Sequence, residues 1–180
     1  MAVLQIVVIA WAIQVGGHDA GVAGAVLGIE AFAQLDTRNF GQRIGLVGCV
    51  KNKLTTMAEA QNLYVSTLFK GRRRYVEHTC DRWFVLSALH KIVEPSDLLS
   101  PYDVSLVGAR CATRRLWAQE TLAAVDHKLG DVQSYVFEIH AGSDYRDFGL
   151  VDGLLLRGAS IAVPALGLTQ GQQLAFYASH

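Results

Sequence analysis

The stretch Arg43-Ile44-Gly45-Leu46-Val47-Gly48-Cys49-Val50-Lys51-Asn52-Lys53 decides how this chain is read. A short apolar run from Ile44 to Val47 suits a buried strand. Gly48 and Cys49 then stand at its carboxyl end, with Lys51 and Lys53 just beyond. In open α/β sheets that end faces the ligand crevice. A thiol and two ammonium groups placed there point to an anionic or electrophilic ligand.

Outward from this stretch, strand and helix patterns alternate. Trp83 to Ser87 reads as a second buried strand, Val132 to His140 as a third, and Ile161 to Val163 as a fourth, ended by Pro164. Ala58 to His78 reads as mostly helical, in one or two pieces. Ala112 to Lys128 reads as an amphipathic helix with Leu116, Trp117, Leu122 and Val125 as its apolar positions. Asp144 to Leu156 is expected to be helical and closed by Gly158, and Gln170 to Tyr177 to form a last short helix. The segment carrying Pro95 and Pro101 reads as a long loop. This alternation implies an α/β fold: three layers, with a mainly parallel sheet and helices on both faces, in a single domain over residues 43–180.

Composition narrows the function classes. Charged residues make up 18% of the 180 positions, against roughly 25% in a typical domain, as strands buried on both faces require. Sixteen Lys and Arg balance sixteen Asp and Glu, so any phosphate-backbone contact is local. The dense basic run Lys70-Gly71-Arg72-Arg73-Arg74 is its only candidate, and the same run also reads as a solvated helix face. Cys49, Cys80 and Cys111 stand far apart and the six histidines are scattered, so no metal-ligand spacing is visible. No metal and no cofactor are expected, and reduced thiols fit a cytoplasmic protein. Phosphate-loop, dinucleotide and Gly-x-Ser-x-Gly signatures are absent.

Residues 1–40 form an apolar leader of separate character. Two readings fit it: an extra strand (Val3 to Ala10) and helix (about Ala20 to Ala33) capped by Asp19, or a poorly ordered extension from a start codon placed too far upstream. No Lys or Arg precedes Arg38, unlike a signal peptide. Neither apolar run is long and charge-free enough for a span, so no membrane association is expected.

The strand ends gather the polar residues: Cys49, Lys51 and Lys53 after the first, Ser87 and His90 after the second, Glu138 and His140 with Gly142, Ser143, Asp144 and Tyr145 on the third. The loop after the second strand adds Glu94, Tyr102 and Asp103. Each residue has a structural and a functional reading. Cys49 is a small buried residue or a nucleophile. Lys51 and Lys53 are solvated charges, anion ligands or amine nucleophiles. His90 is a general acid or base, or a cap. Asp103 is a turn residue or a member of the cleft. The turn from His140 to Tyr145 offers backbone N–H groups to a phosphate or carboxylate, with Ser143 as a helix cap.

Taken in order, several short motifs resemble an uncharacterised bacterial family related to YaaA-like peroxide-stress proteins. They are Gly48-Cys49-Val50-Lys51-Asn52-Lys53, Leu63-Tyr64, Ser66-Thr67-Leu68-Phe69, Trp83 to His90, Pro101-Tyr102-Asp103, His140 to Arg146, Pro164 to Leu168 and Gly171 to Leu174. More distantly the order resembles the catalytic domain of archaeosine synthase. The resemblance covers about residues 43–180. It implies a nucleobase, nucleotide or nucleic-acid setting, in modification or damage response. It implies that Cys49, Lys51 and Lys53 line the site, with Ser87, His90, Tyr102 and Asp103 added by the bacterial pattern. Together with the strand-end reading this gives Lys51, Lys53, His90 and Asp103 as catalytic candidates, and Cys49, Ser87, Tyr102, His140, Gly142 and Tyr145 as ligand-binding ones. Two departures stand out: Val50 where the pattern has Ser, and Leu89-His90-Lys91 where it has Lys-His-Gly. The alternative is a non-catalytic module that binds nucleic acid or a small molecule. The sequence leaves catalysis and oligomeric state open.

Overall fold

The computed structural model describes residues 41–180; the strand and helix expected within residues 1–40 lie outside the described residues. The first strand is β1 (Arg43–Gly48), followed by β2 (Ala58–Glu59), α1 (Ala60–Leu63) and α2 (Thr67–Thr79). Next come β3 (Arg82–Ser87), β4 (Lys91–Val93), β5 (Leu98–Leu99) and α3 (Cys111–Leu129). The chain continues through β6 (Val136–His140), α4 (Ser143–Arg146), α5 (Leu150–Leu156), β7 (Ser160–Ala162) and α6 (Gln170–Ala178).

Five strands form a mixed, mostly parallel sheet in the order β4-β3-β1-β6-β7. β1 pairs in parallel with β3 on one side and β6 on the other, and β7 continues the parallel set beyond β6. Only β4 is antiparallel, against β3. The order makes β1 the turning point. The chain leaves β1 toward β3 and β4, then crosses back through α3 to β6 and on to β7. Adjacent parallel strands β1 and β6 thus send their following segments in opposite directions. A crevice outside their carboxyl ends is where such sheets bind ligands.

Successive strand side chains point to opposite faces, and they divide between two apolar clusters. Ile44, Leu46, Phe84, Leu86, Phe137 and Ile139 join Trp117, Leu122 and Val125 of α3 and Leu150 and Leu154 of α5. Val47, Val85 and Val93 join Leu63 of α1 and Phe69 and Val76 of α2. The near-absence of polar side chains in β1 and β3 follows from burial on both sides.

The structure corrects several sequence-based boundaries. The expected helix over 58–78 is broken: Tyr64 is extended and Ser66, whose hydroxyl accepts from Phe69 N at 3.1 Å, starts α2 afresh. The third strand begins only at Val136, because Val132 to Tyr135 forms a turn closed by Tyr135 N donating to Val132 O at 3.0 Å. The helix over 144–156 is split into α4 and α5 by Gly149, whose φ of 111° lies where side chains rarely go. The long loop after β3 contains two short strands. One of them, β4, forms a hairpin in which Lys91 has φ 67°. That is the position at which the resembled pattern has glycine, and it is the only non-glycine residue with positive φ among the described residues.

Among the described residues, no helix is long and apolar enough to cross a membrane, and no group of three or more His, Cys, Asp or Glu could hold a metal ion.

Candidate functional site

The β1–β3 ladder continues one residue past β1, with Cys49 N donating to Leu86 O at 2.9 Å. This fixes Cys49 above the turning point of the sheet. Its sulfur lies 3.0 Å from the hydroxyl of Tyr145, which α4 delivers just beyond the carboxyl end of β6. Gly48 permits this approach, since a Cβ there would stand 2.8 Å from Ala141 Cβ. The Tyr145 ring is held edge-on by Trp117, at 5.2 Å between centroids. Trp117 is itself anchored by donating from Nε1 to Ser87 O at 3.0 Å.

Beyond Cys49 the chain doubles back. Lys53 pairs with Tyr64 in an isolated antiparallel bridge, flanked by Leu54 N donating to Leu63 O at 2.8 Å. This brings the Lys53 ammonium 4.3 Å from the centroid of the Tyr102 ring and 5.7 Å from that of Tyr64, within the range of cation–π attraction. Tyr102 is the hub of the arrangement. Its hydroxyl lies 2.7 Å from Ser87 Oγ and 2.8 Å from Tyr64 Oη. Ser87 Oγ also accepts from His90 N at 2.9 Å, which folds the β3–β4 turn. The His90 ring stands edge-on to Tyr102 at 5.3 Å.

Burial sets the protonation of the phenols. Desolvation is the main cause at Tyr64, raising it to about 12, and the nearby Cys49 adds to the effect. Tyr102 and Tyr145 are likewise pushed far up, first by burial and then by Cys49. All three are therefore neutral hydroxyls at physiological pH, able to donate and to accept.

Six of the expected site residues are thus connected by direct contacts: Cys49 with Tyr145, and Lys53, Ser87, His90 and Tyr102 around the phenol pair. The other four are not joined to them by a side chain. Lys51 is exposed, meets the group only through its carbonyl, which accepts from Lys53 Nζ at 3.4 Å, and lines a separate cleft of about 520 Å³ beside Ser66 and Gln170. Asp103 is exposed and makes no hydrogen bond or ion pair among the described residues. His140 is buried on the α2 face, 2.8 Å from Tyr177 Oη. Gly142 and His140 line another cavity of about 270 Å³ with Arg72 and Arg146. Cys49, Ser87, His90 and Tyr102 line none of these cavities, nor those of about 460 and 530 Å³ elsewhere. Ser143 is not a cap: Gly142 precedes α4, and no side-chain cap is present.

The basic run is spent mostly on internal contacts. Arg72 is buried and donates to Gln173 Oε1 at 2.8 Å. Arg73 bonds Glu77, Gln61 O and Asn62, and Arg74 reaches Tyr177 O at 3.5 Å. Tyr64, Trp117, Arg72 and Arg146 were not among the expected site residues. Tyr64 had a signal, since it follows Leu63 in a motif of the resemblance; Trp117 read only as an apolar helix position.

Residues 44–179 match a family model described as a family of unknown function (DUF6884). No curated protein and no solved structure matches the chain.

Proposed function

Because the chain belongs to this family of unknown function, we propose a function from its own geometry: it acts on a nucleobase, nucleotide or nucleic acid at the carboxyl ends of β1, β3 and β6. The observation that carries the reading is the meeting of Cys49 and Tyr145, 3.0 Å apart, at the turning point of the sheet. Lys53 is the cation that holds or attacks the ligand, and His90 handles protons; both flank Tyr102. Neutral phenols that donate and accept suit the mixed polar edge of a heterocyclic base. The side chains of Lys51 and Asp103 have no contact with this group and take no part in the reading; Lys51 touches it only through its carbonyl, which accepts from Lys53 Nζ at 3.4 Å. The resemblance noted above supplies the nucleobase setting.

We also read the architecture as three layers with helices on both faces of the sheet, from the two apolar clusters. The three free cysteines suit the cytoplasm. A binding module without chemistry is the second reading, and one observation favours it: the hydroxyls of Ser87, Tyr102 and Tyr64 already satisfy one another.

The test is ligand-detected NMR with a panel of nucleosides, nucleoside monophosphates and short single strands. Replacing Lys53→Ala or Tyr102→Phe is expected to weaken binding of the selected ligand at least about tenfold. Unchanged affinity in both variants rejects the reading. Turnover of the bound ligand separates the enzyme from the module.

A further inference from the structure

Arg72 is a buried cation whose surroundings do not balance its charge. It lies on α2 with only 7% of its surface exposed. Its side-chain partners are neutral: it donates to Gln173 Oε1 at 2.8 Å and interacts with the Tyr177 hydroxyl. No acidic residue pairs with it among the described residues, and its Nε is buried without an acceptor. A buried guanidinium without a counter-charge is strongly unfavourable. Desolvation lowers its pKa accordingly.

Arg146, at the end of α4, faces the same cavity of about 270 Å³. Its Nε is also buried without an acceptor. Its nearest carboxylate, Asp147, is 4.0 Å away and exposed by 55%. The residues lining this cavity include no Asp or Glu. Glu138, the closest buried acid, contacts His140 at 3.5 Å and is paired with Arg43. His140 completes the wall; burial and the charge of Arg72 push it down to about 3, so it adds no positive charge. With Tyr177 Oη bound at Nδ1, its Nε2 has no hydrogen-bond partner.

Two guanidinium groups with free Nε–H donors, in a water-sized or larger hollow without acids, lack only an oxyanion. We propose that this cavity binds the phosphate group of a phosphorylated ligand, held by Arg72 and Arg146. Guanidinium groups match phosphate oxygens in pairs and hold them when desolvated. α4 has four residues, too few for a useful dipole, so the arginines carry the affinity. None of the lining residues belongs to the Cys49 and Tyr102 group, so the two proposals stand or fall separately.

The experiment is isothermal titration calorimetry of the full chain with sodium phosphate at constant ionic strength, with sodium acetate as the comparison. Saturable binding of one phosphate is expected, with acetate weaker by at least about tenfold. Arg146→Gln, which removes one guanidinium from the cavity wall and the long contact to exposed Asp147, is expected to weaken phosphate at least about tenfold. Arg72→Gln should do the same wherever its circular dichroism remains native, and Lys70→Ala should have no effect. The proposal is overturned by absence of saturable binding to the unaltered chain. It is equally overturned if Arg146→Gln leaves affinity unchanged, if Lys70→Ala weakens it as much, or if acetate binds as tightly as phosphate.

Discussion

The sulfur of Cys49 and the hydroxyl of Tyr145 meet at 3.0 Å across the boundary between β1 and β6, the two parallel strands whose following segments diverge. The contact couples the end of the central strand to the start of α4. A double-mutant cycle with Cys49→Ala and Tyr145→Phe should give a coupling of ~0.5–1.5 kcal/mol in urea unfolding. Additive effects would show that the two groups are adjacent without interacting.

Gly48 lies where β1 and the residue after β6 come closest. A Cβ at Gly48 would stand 2.8 Å from that of Ala141 and 3.2 Å from its Cα. Gly48→Ala should therefore destabilise by ~1–3 kcal/mol through overpacking. Adding Ala141→Gly should recover part of the loss. Equal midpoints for the single and double variants would place the strain elsewhere.

Lys91 adopts φ 67° at the end of the β3–β4 turn, a conformation costing a side chain ~1 kcal/mol. Its ammonium pairs with Glu120 at 2.8 Å, and a partly exposed pair offsets only ~0.2–1 kcal/mol. Thermal melting should rank Lys91→Gly at or above the natural chain, and both above Lys91→Ala, which keeps the strain and loses the pair. A Gly variant less stable than the Ala variant would contradict this.

His140 links stability to pH. Burial, then the charge of Arg72, lowers it from 6.5 to about 3 in the folded chain. Between these values the unfolded chain binds a proton that the folded chain refuses. The stability is present above pH 6.5 and is lost as pH falls toward 3, by up to ~1.4 kcal/mol per pH unit. Urea unfolding at pH 7 and pH 4.5 should show a steeper loss in the natural chain than in His140→Gln. Parallel losses would mean that other groups set the acid sensitivity.

The central strands were legible because they are short, apolar and bounded by turn residues: Ile44 to Val47 and Trp83 to Ser87 both fall within observed strands. The breaks were not. Tyr64 leaves the helical path because it pairs with Lys53, a contact that no local pattern encodes. β4 was hidden because Lys91 supplies the left-handed residue that a glycine would have advertised. At the site, strand-end logic brought Cys49, Ser87 and Tyr145 to one end of the sheet. Strand alternation then separated His140, which shares the face of Val47 rather than that of Leu46. Arg72 was masked by its neighbours, since a basic run reads as solvated until the packing of α2 against α6 buries one member.

The most direct test of the strand-end site uses the chain's own thiols. Cys49 sits in it, while Cys80 and Cys111 lie outside it. Iodoacetamide labelling is followed by mass spectrometry, with and without the nucleotide selected from the panel at about ten times its Kd. The account predicts that Cys49 is protected about tenfold while Cys111 is unaffected. Labelling of Cys49 at an unchanged rate under saturation would contradict it.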